Sequence, residues 1–510
     1  MNVSYLYYAW LLGFVVLVAL AIAFKDERRK AVISVLMVAA TIFVGLNGYK
    51  SFQSRSNANL AYTQSDRAEI LLKFTSGYVA IESYAASLPG SEDMSEQGKD
   101  KLYLEAGNLL DKAVDAAPKS SKLLLKKVVL LGEQGKNVRD QIKQLRAIKE
   151  EKADRLAGLL EALYVKRSVT KKDYPEFKKI VSADVPLGWY KEIVTLQLEK
   201  TAHHKKNFKE LHQDFHEHYL WYMIRLFIFG CLAVLSFLVG LIVLVVQLFF
   251  LPRNPTSDTG KALIQGPPQW NWRVVFGVFI GWLATEFLIA PPIKHLAGHL
   301  ANLASENGIV TVALLTAALY LFQNLPAIFL IWYLGIRPHK FPFFSTLKLK
   351  FKVEEENRGI FKLVTAGILT WYACIPVVAG AVYLSTKLGS QGSDNPIVAV
   401  VMAAAKEADL LGIVLFIVAL GVLPALVEEI LFRGFLYTAL RRKLSIFPSL
   451  VISGFVFSAI HLDLGGFLQL FCLGFLFAFI MEKTRSLVPS MVAHCMWNSC
   501  TFIMALVAYS

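Results

Sequence analysis

The sequence predicts an all-α membrane protein that crosses the bilayer about ten times and carries an inserted soluble α-helical domain. Three observations predict this architecture. Apolar residues make up 55% of the 510 residues and charged residues only 18%, and the mean hydropathy is +0.48. Several apolar stretches approach or exceed the roughly 20 residues that are needed to span a bilayer. One internal segment, 51–218, is by contrast rich in Lys, Glu and Asp.

The first element, residues 1–50, is predicted to be a transmembrane hairpin. Its two apolar segments, Tyr5–Phe24 and Ala31–Tyr49, are joined by a short loop that contains four basic residues. Short basic loops stay in the cytoplasm, so both ends of the hairpin are predicted to lie outside. The first segment has no basic start, which indicates an anchor rather than a cleavable signal peptide.

Residues 51–218 are predicted to form a soluble domain of short helices, with Pro118 and Gly135 among the breakers between them. Leu109–Leu131 resembles the junction between two tetratricopeptide repeats. Only one such junction is present and no 34-residue period recurs, so helical hairpins are the prediction and a repeat array is the alternative. The helical periodicity covers four segments in particular: Ala68–Ser87, Lys101–Ala117, Ser121–Gly135 and Val138–Val165.

The chain then returns to the membrane in two regions. Residues 219–358 are predicted to hold transmembrane helices 3–5 with basic cytoplasmic loops, and residues 359–510 are predicted to form a transmembrane core. Two of the late spans contain only about 15 residues each, fewer than a full crossing needs. The eight predicted spans are 226–251, 274–290, 309–336, 360–384, 410–432, 446–461, 467–481 and 488–508.

Basic residues alternate between the loops, and this alternation predicts the orientation. Loops 252–273 and 337–358 are basic, whereas loops 291–308, 385–409 and 462–466 contain few or no basic residues. The positive-inside rule therefore places both termini and residues 51–218 outside the cytoplasm. We expect a multi-pass protein of a bacterial inner membrane. Because the net charge of +14 lies mostly in these loops, we expect no nucleic-acid partner.

The most informative stretch is Gly421–Arg442, an apolar helical run that contains two adjacent glutamates. Charges at membrane depth are costly and are rarely present without a function. Glu429 and Arg433 are four residues apart, on one helical face and close enough to pair. Glu428 is turned by about 100° from Glu429 and has no partner within the motif. The pattern therefore predicts one tied carboxylate and one free carboxylate.

Further polar residues follow on the next spans. Phe457 and His461 lie on one late helix, and His494 and Asn498, again four apart, lie on the last. A single intramembrane histidine is as often a buried core residue as a functional one. Together with Glu428, however, these residues suit hydrolysis: a glutamate and a histidine can polarise a water molecule, and a second histidine and an amide can donate to an oxyanion.

These three motifs, EExxxR, FxxxH and HxxxN in this order on successive late helices, resemble the CPBP family, which includes CAAX prenyl proteases of the Rce1 type and bacteriocin-processing or Abi proteins. The resemblance covers roughly Leu363–Val507. It implies that Glu428 and His461 activate the hydrolytic water and that His494 and Asn498 form the oxyanion hole. It also implies that Glu429, Arg433 and Phe457 shape the site.

The leading hypothesis is therefore a glutamate-dependent intramembrane endopeptidase without a cofactor. Its substrate would be a membrane-associated peptide or protein, with a lipidated one among the candidates. In one alternative, Glu428, His461 and His494 are zinc ligands of a metalloprotease, although no HExxH helix is present. In the other, the chain is a non-proteolytic scaffold or receptor, and residues 51–218 bind a protein partner.

Overall fold

The protein is described by a computed structural model. In the residues that the model describes, all regular secondary structure is helical and there are no strands. These residues form two compact units, one within 53–231 together with 507–509, and one within 232–506. The described residues are 61, 64–82, 96–186, 188–250, 267, 270–285, 308–351, 359–388, 390, 409–461, 463 and 465–509. The predicted N-terminal hairpin, residues 1–50, lies outside them.

The soluble unit is built from short helices, most of which contact the next helix in the chain. Pro118 lies in the turn between two helices, and Gly135 takes a φ of +70° directly after a helix end, as is usual for a residue that terminates a helix. Both breakers are at their predicted places. The helices are 64–82, Glu96–Ala116, Ser121–Glu133, Arg139–Arg146, Glu151–Leu160, Tyr174–Asp184, Trp189–Thr201 and the first part of Lys205–Phe250.

The segment Val138–Val165, one of the four with helical periodicity, divides into more than one helix. The chain turns after Arg146, Lys149 has a φ of +57°, and a new helix starts at Glu151. No Gly or Pro marks this turn. Leu145 before it and Leu156 after it are both fully buried in one core. The packing of two short helices against each other therefore outweighs the local helical preference of the turn residues.

A buried polar cluster lies inside the soluble unit. Lys126 Nζ is 3.0 Å from Glu69 Oε2 and donates to Ser65 Oγ at 2.9 Å, and it also lies over the Tyr190 ring. Nearby, burial raises the pKa of Asp66 from 3.8 to about 6; Lys126 lowers it and Glu69 raises it. Burial makes an ionised carboxylate more costly, so this aspartate binds its proton more tightly in the folded domain.

In the membrane unit, all eight predicted spans after residue 219 coincide with apolar helices in the described residues, although residues 286–290 of the second lie outside them. Among the described residues, six helices are long and apolar enough to cross a membrane, and two apolar helices are shorter. The six are Lys205–Gln247, Ile309–His339, Ile360–Lys387, Leu410–Leu440, Phe467–Thr484 and Val488–Ala508, and the two shorter ones are Trp272–Thr285 and Ile446–Ala459. Ten full crossings are therefore not established. The surfaces of these helices carry exposed apolar side chains, such as Phe361 and Phe447, as lipid-facing helices do.

Two close contacts hold the late helices together. Helices Ile446–Ala459 and Phe467–Thr484 pack so tightly that a Cβ at Gly474 would lie 2.9 Å from the Cα of Gly454. At one end of the long helix Leu410–Leu440, Arg441 Nε donates to Glu482 Oε2 at 3.1 Å, and both side chains are buried. The helix that carries the two glutamates is thus bound to its neighbour.

Candidate active site

The predicted site residues lie on three late elements of the membrane unit, with helix Phe467–Thr484 between the second and the third. Glu428 and Glu429 are on helix Leu410–Leu440, His461 is in the turn after helix Ile446–Ala459, and His494 is on helix Val488–Tyr509. The glutamate-bearing helix begins at Asp409, whose carboxylate accepts from the backbone N–H groups of residues 411 and 412. Two wider π-helical stretches, Val418–Val422 and Ile430–Tyr437, flank the glutamates. Such stretches are frequent at functional sites.

The Glu429–Arg433 pair forms as the spacing predicts. Arg433 Nη1 donates to Glu429 Oε1 at 2.8 Å, and neither side chain is exposed to solvent. A second guanidinium nitrogen, Nη2, donates to the backbone oxygen of Gly474 at 3.1 Å. The pair therefore links the glutamate helix to helix Phe467–Thr484.

Phe457 lies at the centre of the predicted site residues. The Arg433 guanidinium carbon is 4.4 Å from the centroid of the Phe457 ring, a cation–π contact. The rings of His461 and His494 lie 4.9 and 5.9 Å from the same centroid. Phe457 thus contacts the guanidinium and both imidazole rings.

His494 connects the two glutamates. Its Nδ1 donates to Glu429 Oε1 at 2.8 Å, and its Nε2 lies 3.9 Å from Glu428 Oε2. The ring also stacks on Phe477, with centroids 5.1 Å apart. Because an ionised carboxylate can only accept a hydrogen bond, Nδ1 carries a proton. The other nitrogen, Nε2, is the one that faces Glu428.

The motif alone predicted a free Glu428 carboxylate. In the structure, a residue from another helix bonds to it. Its side chain is 17% exposed, and its Oε1 accepts a hydrogen bond from Tyr320 Oη at 3.3 Å. Tyr320 belongs to helix Ile309–Leu330, which packs along the glutamate helix. The two carboxylate oxygens of Glu428 therefore face different groups.

His461 is joined to this group through Phe457. Its Nδ1 donates to the backbone oxygen of Phe457 at 2.7 Å. Because a carbonyl oxygen only accepts, this bond sets the tautomer of a neutral ring and leaves Nε2 with a lone pair. A neutral His461 can thus accept a proton through Nε2.

Asn498 lies one turn beyond His494 and bonds to the glutamate helix. Its Nδ2 donates to the backbone oxygen of Leu420 at 3.3 Å. Leu420 lies in the π-helical stretch Val418–Val422, so this bond links the last helix to the irregular part of the glutamate helix. An amide NH₂ has two N–H groups, so one donor is not used by this bond.

The structure brings Glu428, Glu429, Arg433, Phe457 and His494 into direct contact, whereas His461 and Asn498 join through Phe457 and Leu420. The zinc alternative needs a converging set of ligands. In the part of the chain that the structure describes, no group of three or more His, Cys, Asp or Glu side chains is arranged to hold a metal ion.

Sequence reasoning missed two side chains of this cluster. Tyr320 contacts Glu428, and Phe477 stacks on His494 and lies 5.3 Å from the Arg433 guanidinium. A phenol in a largely apolar helix was a weak signal for Tyr320. Phe477 is one of 35 phenylalanines in the chain, and nothing in the pattern separates it from the others.

Comparison with known protein families identifies the segment that contains the three motifs. Residues 410–500 match the family model of the type II CAAX prenyl endopeptidases, Rce1-like. The matched segment contains all seven predicted site residues, and the match confirms the resemblance to the CPBP and CAAX protease family. Searches of curated proteins and of solved structures gave no significant match.

Proposed function

We propose that this multi-pass membrane protein is a glutamate-dependent intramembrane endopeptidase that cleaves a membrane-associated polypeptide. The observation that carries the proposal is the coincidence of two facts. Residues 410–500 match the Rce1-like CAAX prenyl endopeptidases, and within them Glu428 and His494 face each other beside a buried Glu429–Arg433 pair. These polar groups lie on apolar helices, and polar groups within membrane-spanning helices are costly unless they have a function.

In the proposed reaction, Glu428 accepts a proton from the attacking water and His461 accepts a hydrogen bond from the same water through Nε2. The water oxygen then attacks the carbonyl carbon of the scissile peptide bond, and the carbonyl oxygen gains negative charge. His494 Nε2 and the second N–H of Asn498 Nδ2 donate to this oxygen. The proton held by Glu428 passes to the leaving nitrogen as the C–N bond breaks.

This role requires His494 to donate from both ring nitrogens at the oxyanion step. The Nδ1 proton is already given to Glu429 at 2.8 Å, so Nε2 must be protonated as well. Glu429 is then the counter-charge of the imidazolium, and Arg433 shares that carboxylate oxygen. Pairing with charged donors on both sides is the condition under which a buried carboxylate can remain ionised.

The substrate class and the orientation are part of the proposal. The family name points to prenylated polypeptides, so we propose a lipidated, membrane-associated substrate. The alternation of basic loops supports extracytoplasmic termini and an extracytoplasmic soluble domain in a bacterial inner membrane. The mechanism uses no metal ion.

The decisive experiment measures cleavage of quenched peptides by the purified full-length protein in detergent. The peptides form matched pairs that differ only in prenylation of one cysteine. Wild type, Glu428→Gln and the control Glu176→Gln, an exposed glutamate in the soluble unit, are each assayed with and without a strong chelator. We expect chelator-resistant cleavage of the prenylated peptides by wild type and the control, and no cleavage by Glu428→Gln.

Other results would point elsewhere. Cleavage abolished by the chelator would favour the zinc alternative. Full activity of Glu428→Gln would refute the glutamate mechanism. Equal rates on prenylated and unmodified peptides would refute the substrate class while leaving the endopeptidase activity in place.

A further inference from the structure

We infer that Tyr320 is a positioning residue of the site. Its hydroxyl holds the terminal torsion angle of the Glu428 side chain at one value. This inference rests on the proposed function. The Tyr320 hydroxyl donates to Glu428 Oε1 at 3.3 Å, and the other oxygen, Oε2, lies 3.9 Å from His494 Nε2. Tyr320 lies outside residues 410–500, so the family match does not assign it a role.

The physical reason is the softness of the last glutamate torsion. Rotation of a carboxylate about its terminal bond has a broad, roughly two-fold energy profile, so an isolated Glu428 could turn either oxygen toward His494 or away from it. The neighbouring Glu429 cannot turn in this way, because its Oε1 accepts from both Arg433 and His494. The Tyr320 hydroxyl donates to Oε1 and not to Oε2, so it favours one value of this torsion angle over the other.

The backbone supports this contact. Helix Ile309–Leu330 packs against three successive parts of the glutamate helix: its first turns, the π-helical stretch Val418–Val422 and the segment Leu423–Glu429. Tyr320 and Glu428 therefore belong to two elements held together along their lengths. The hydroxyl contacts one oxygen of the carboxylate, and His494 lies near the other oxygen.

The alternative is that Tyr320 contributes only the packing of its ring. Tyr320→Phe separates the two ideas, because it removes the hydroxyl and keeps the ring. Tyr333→Phe is the matched control, on the π-helical continuation of the same helix. The Tyr333 ring stacks on Phe329, with centroids 5.7 Å apart, and its hydroxyl makes no hydrogen bond within the described part of the chain.

The first readout is the separation of kcat from KM on a cleaved peptide. Misplacement of a reacting group lowers the rate of the chemical step without weakening the binding of remote parts of the substrate. For Tyr320→Phe we expect kcat to fall roughly 10- to 100-fold and KM to stay within about twofold of the wild-type value. Tyr333→Phe should keep the kcat of wild type. An unchanged kcat for Tyr320→Phe overturns the inference.

The second readout does not depend on activity. Thermal unfolding of the full-length protein in detergent is measured for wild type, Tyr320→Phe, Glu428→Leu and the double variant. If the two side chains interact, the two shifts in unfolding temperature do not add, because the second change removes nothing further. Tyr333→Phe combined with Glu428→Leu should give additive shifts. Additive shifts for Tyr320→Phe with Glu428→Leu would also overturn the inference.

The two readouts keep the failure of this inference distinct from the failure of the proposed function. If wild type shows no Glu428-dependent cleavage of any peptide, the endopeptidase proposal fails and the positioning role fails with it, while the unfolding cycle still decides whether the contact exists. If wild type cleaves and Tyr320→Phe cleaves equally well, only the inference fails.

Discussion

Oε1 of Glu429 accepts two hydrogen bonds of 2.8 Å, one from His494 Nδ1 and one from Arg433 Nη1. The carboxylate is completely buried. A single oxygen thus sets both the ion pair within the glutamate helix and the orientation of an imidazole from the last helix. The residue beside it, Glu428, remains partly exposed and lies near the other nitrogen of that imidazole.

The first prediction concerns stability. Glu429→Ala and Arg433→Ala should each destabilise the protein far more than Glu428→Ala, because each leaves a buried charge unpaired at a cost of roughly 3–5 kcal/mol. The loss of stability is measured by thermal unfolding in detergent and by the yield of monodisperse protein after size-exclusion chromatography. Glu482→Ala, which breaks the second buried pair with Arg441, is the matched comparison and should be similarly unstable. Equal stability of the Glu428 and Glu429 variants would contradict the pairing.

The second prediction concerns His494. If its Nε2 donates to the oxyanion, His494→Gln should lower kcat about 10²- to 10³-fold, the usual cost of one lost oxyanion donor, with little change in KM. Peptide cleavage at saturating substrate measures it. His339, an exposed histidine in the turn Arg337–His339, provides the control, and His339→Gln should keep wild-type kinetics. A loss confined to KM would show that His494 binds substrate without stabilising the reaction.

The third prediction concerns the close approach of the glutamate helix to the last helix. A Cβ at Gly421 would collide with Ser499 Oγ, whereas the Ser499 Cβ would be 3.4 Å away. Gly421→Ala should therefore destabilise the protein by about 1–3 kcal/mol, as overpacking does, and Ser499→Ala in the same chain should restore most of the loss. Unfolding temperatures of the single and double variants test this. A double variant no more stable than Gly421→Ala would place the strain elsewhere.

The fourth prediction concerns pH and the soluble unit. Burial raises the pKa of Asp66 to about 6, above its unfolded value of about 3.9. The folded state then holds more protons than the unfolded state between these values, so stability is highest at low pH and declines as pH rises toward 6. Asp66→Asn should remove this decline and stabilise the unit at pH 7 by on the order of 1–2 kcal/mol.

Hydrogen–deuterium exchange of peptides from residues 96–186 in the full-length protein measures this effect, with variant and wild type compared at the same pH. The variant should exchange more slowly near neutral pH and like wild type at about pH 4. Asp115→Asn changes an exposed aspartate and should not reproduce the difference. Slower exchange of Asp66→Asn at both pH values would indicate an effect unrelated to titration.

The sequence by itself determined the fold class, the position of the eight later apolar helices and the resemblance to the family whose model residues 410–500 match. These properties depend on local composition and short spacing. A run of apolar residues must be helical in lipid because every backbone polar group needs an internal partner, and residues four apart on a helix are neighbours whatever surrounds them. The Glu429–Arg433 pair follows from that spacing alone.

Only the tertiary structure decided which groups from different helices meet. The Tyr320–Glu428 bond joins residues 108 positions apart, and the His494–Glu429 bond joins residues 65 apart. No periodicity relates such positions. Their contact depends on how helix surfaces interlock, including the fit of Gly421 against Ser499 and the bond from Asn498 to the backbone oxygen of Leu420. Packing of this kind is set jointly by all the helices, so it cannot be derived from any one segment.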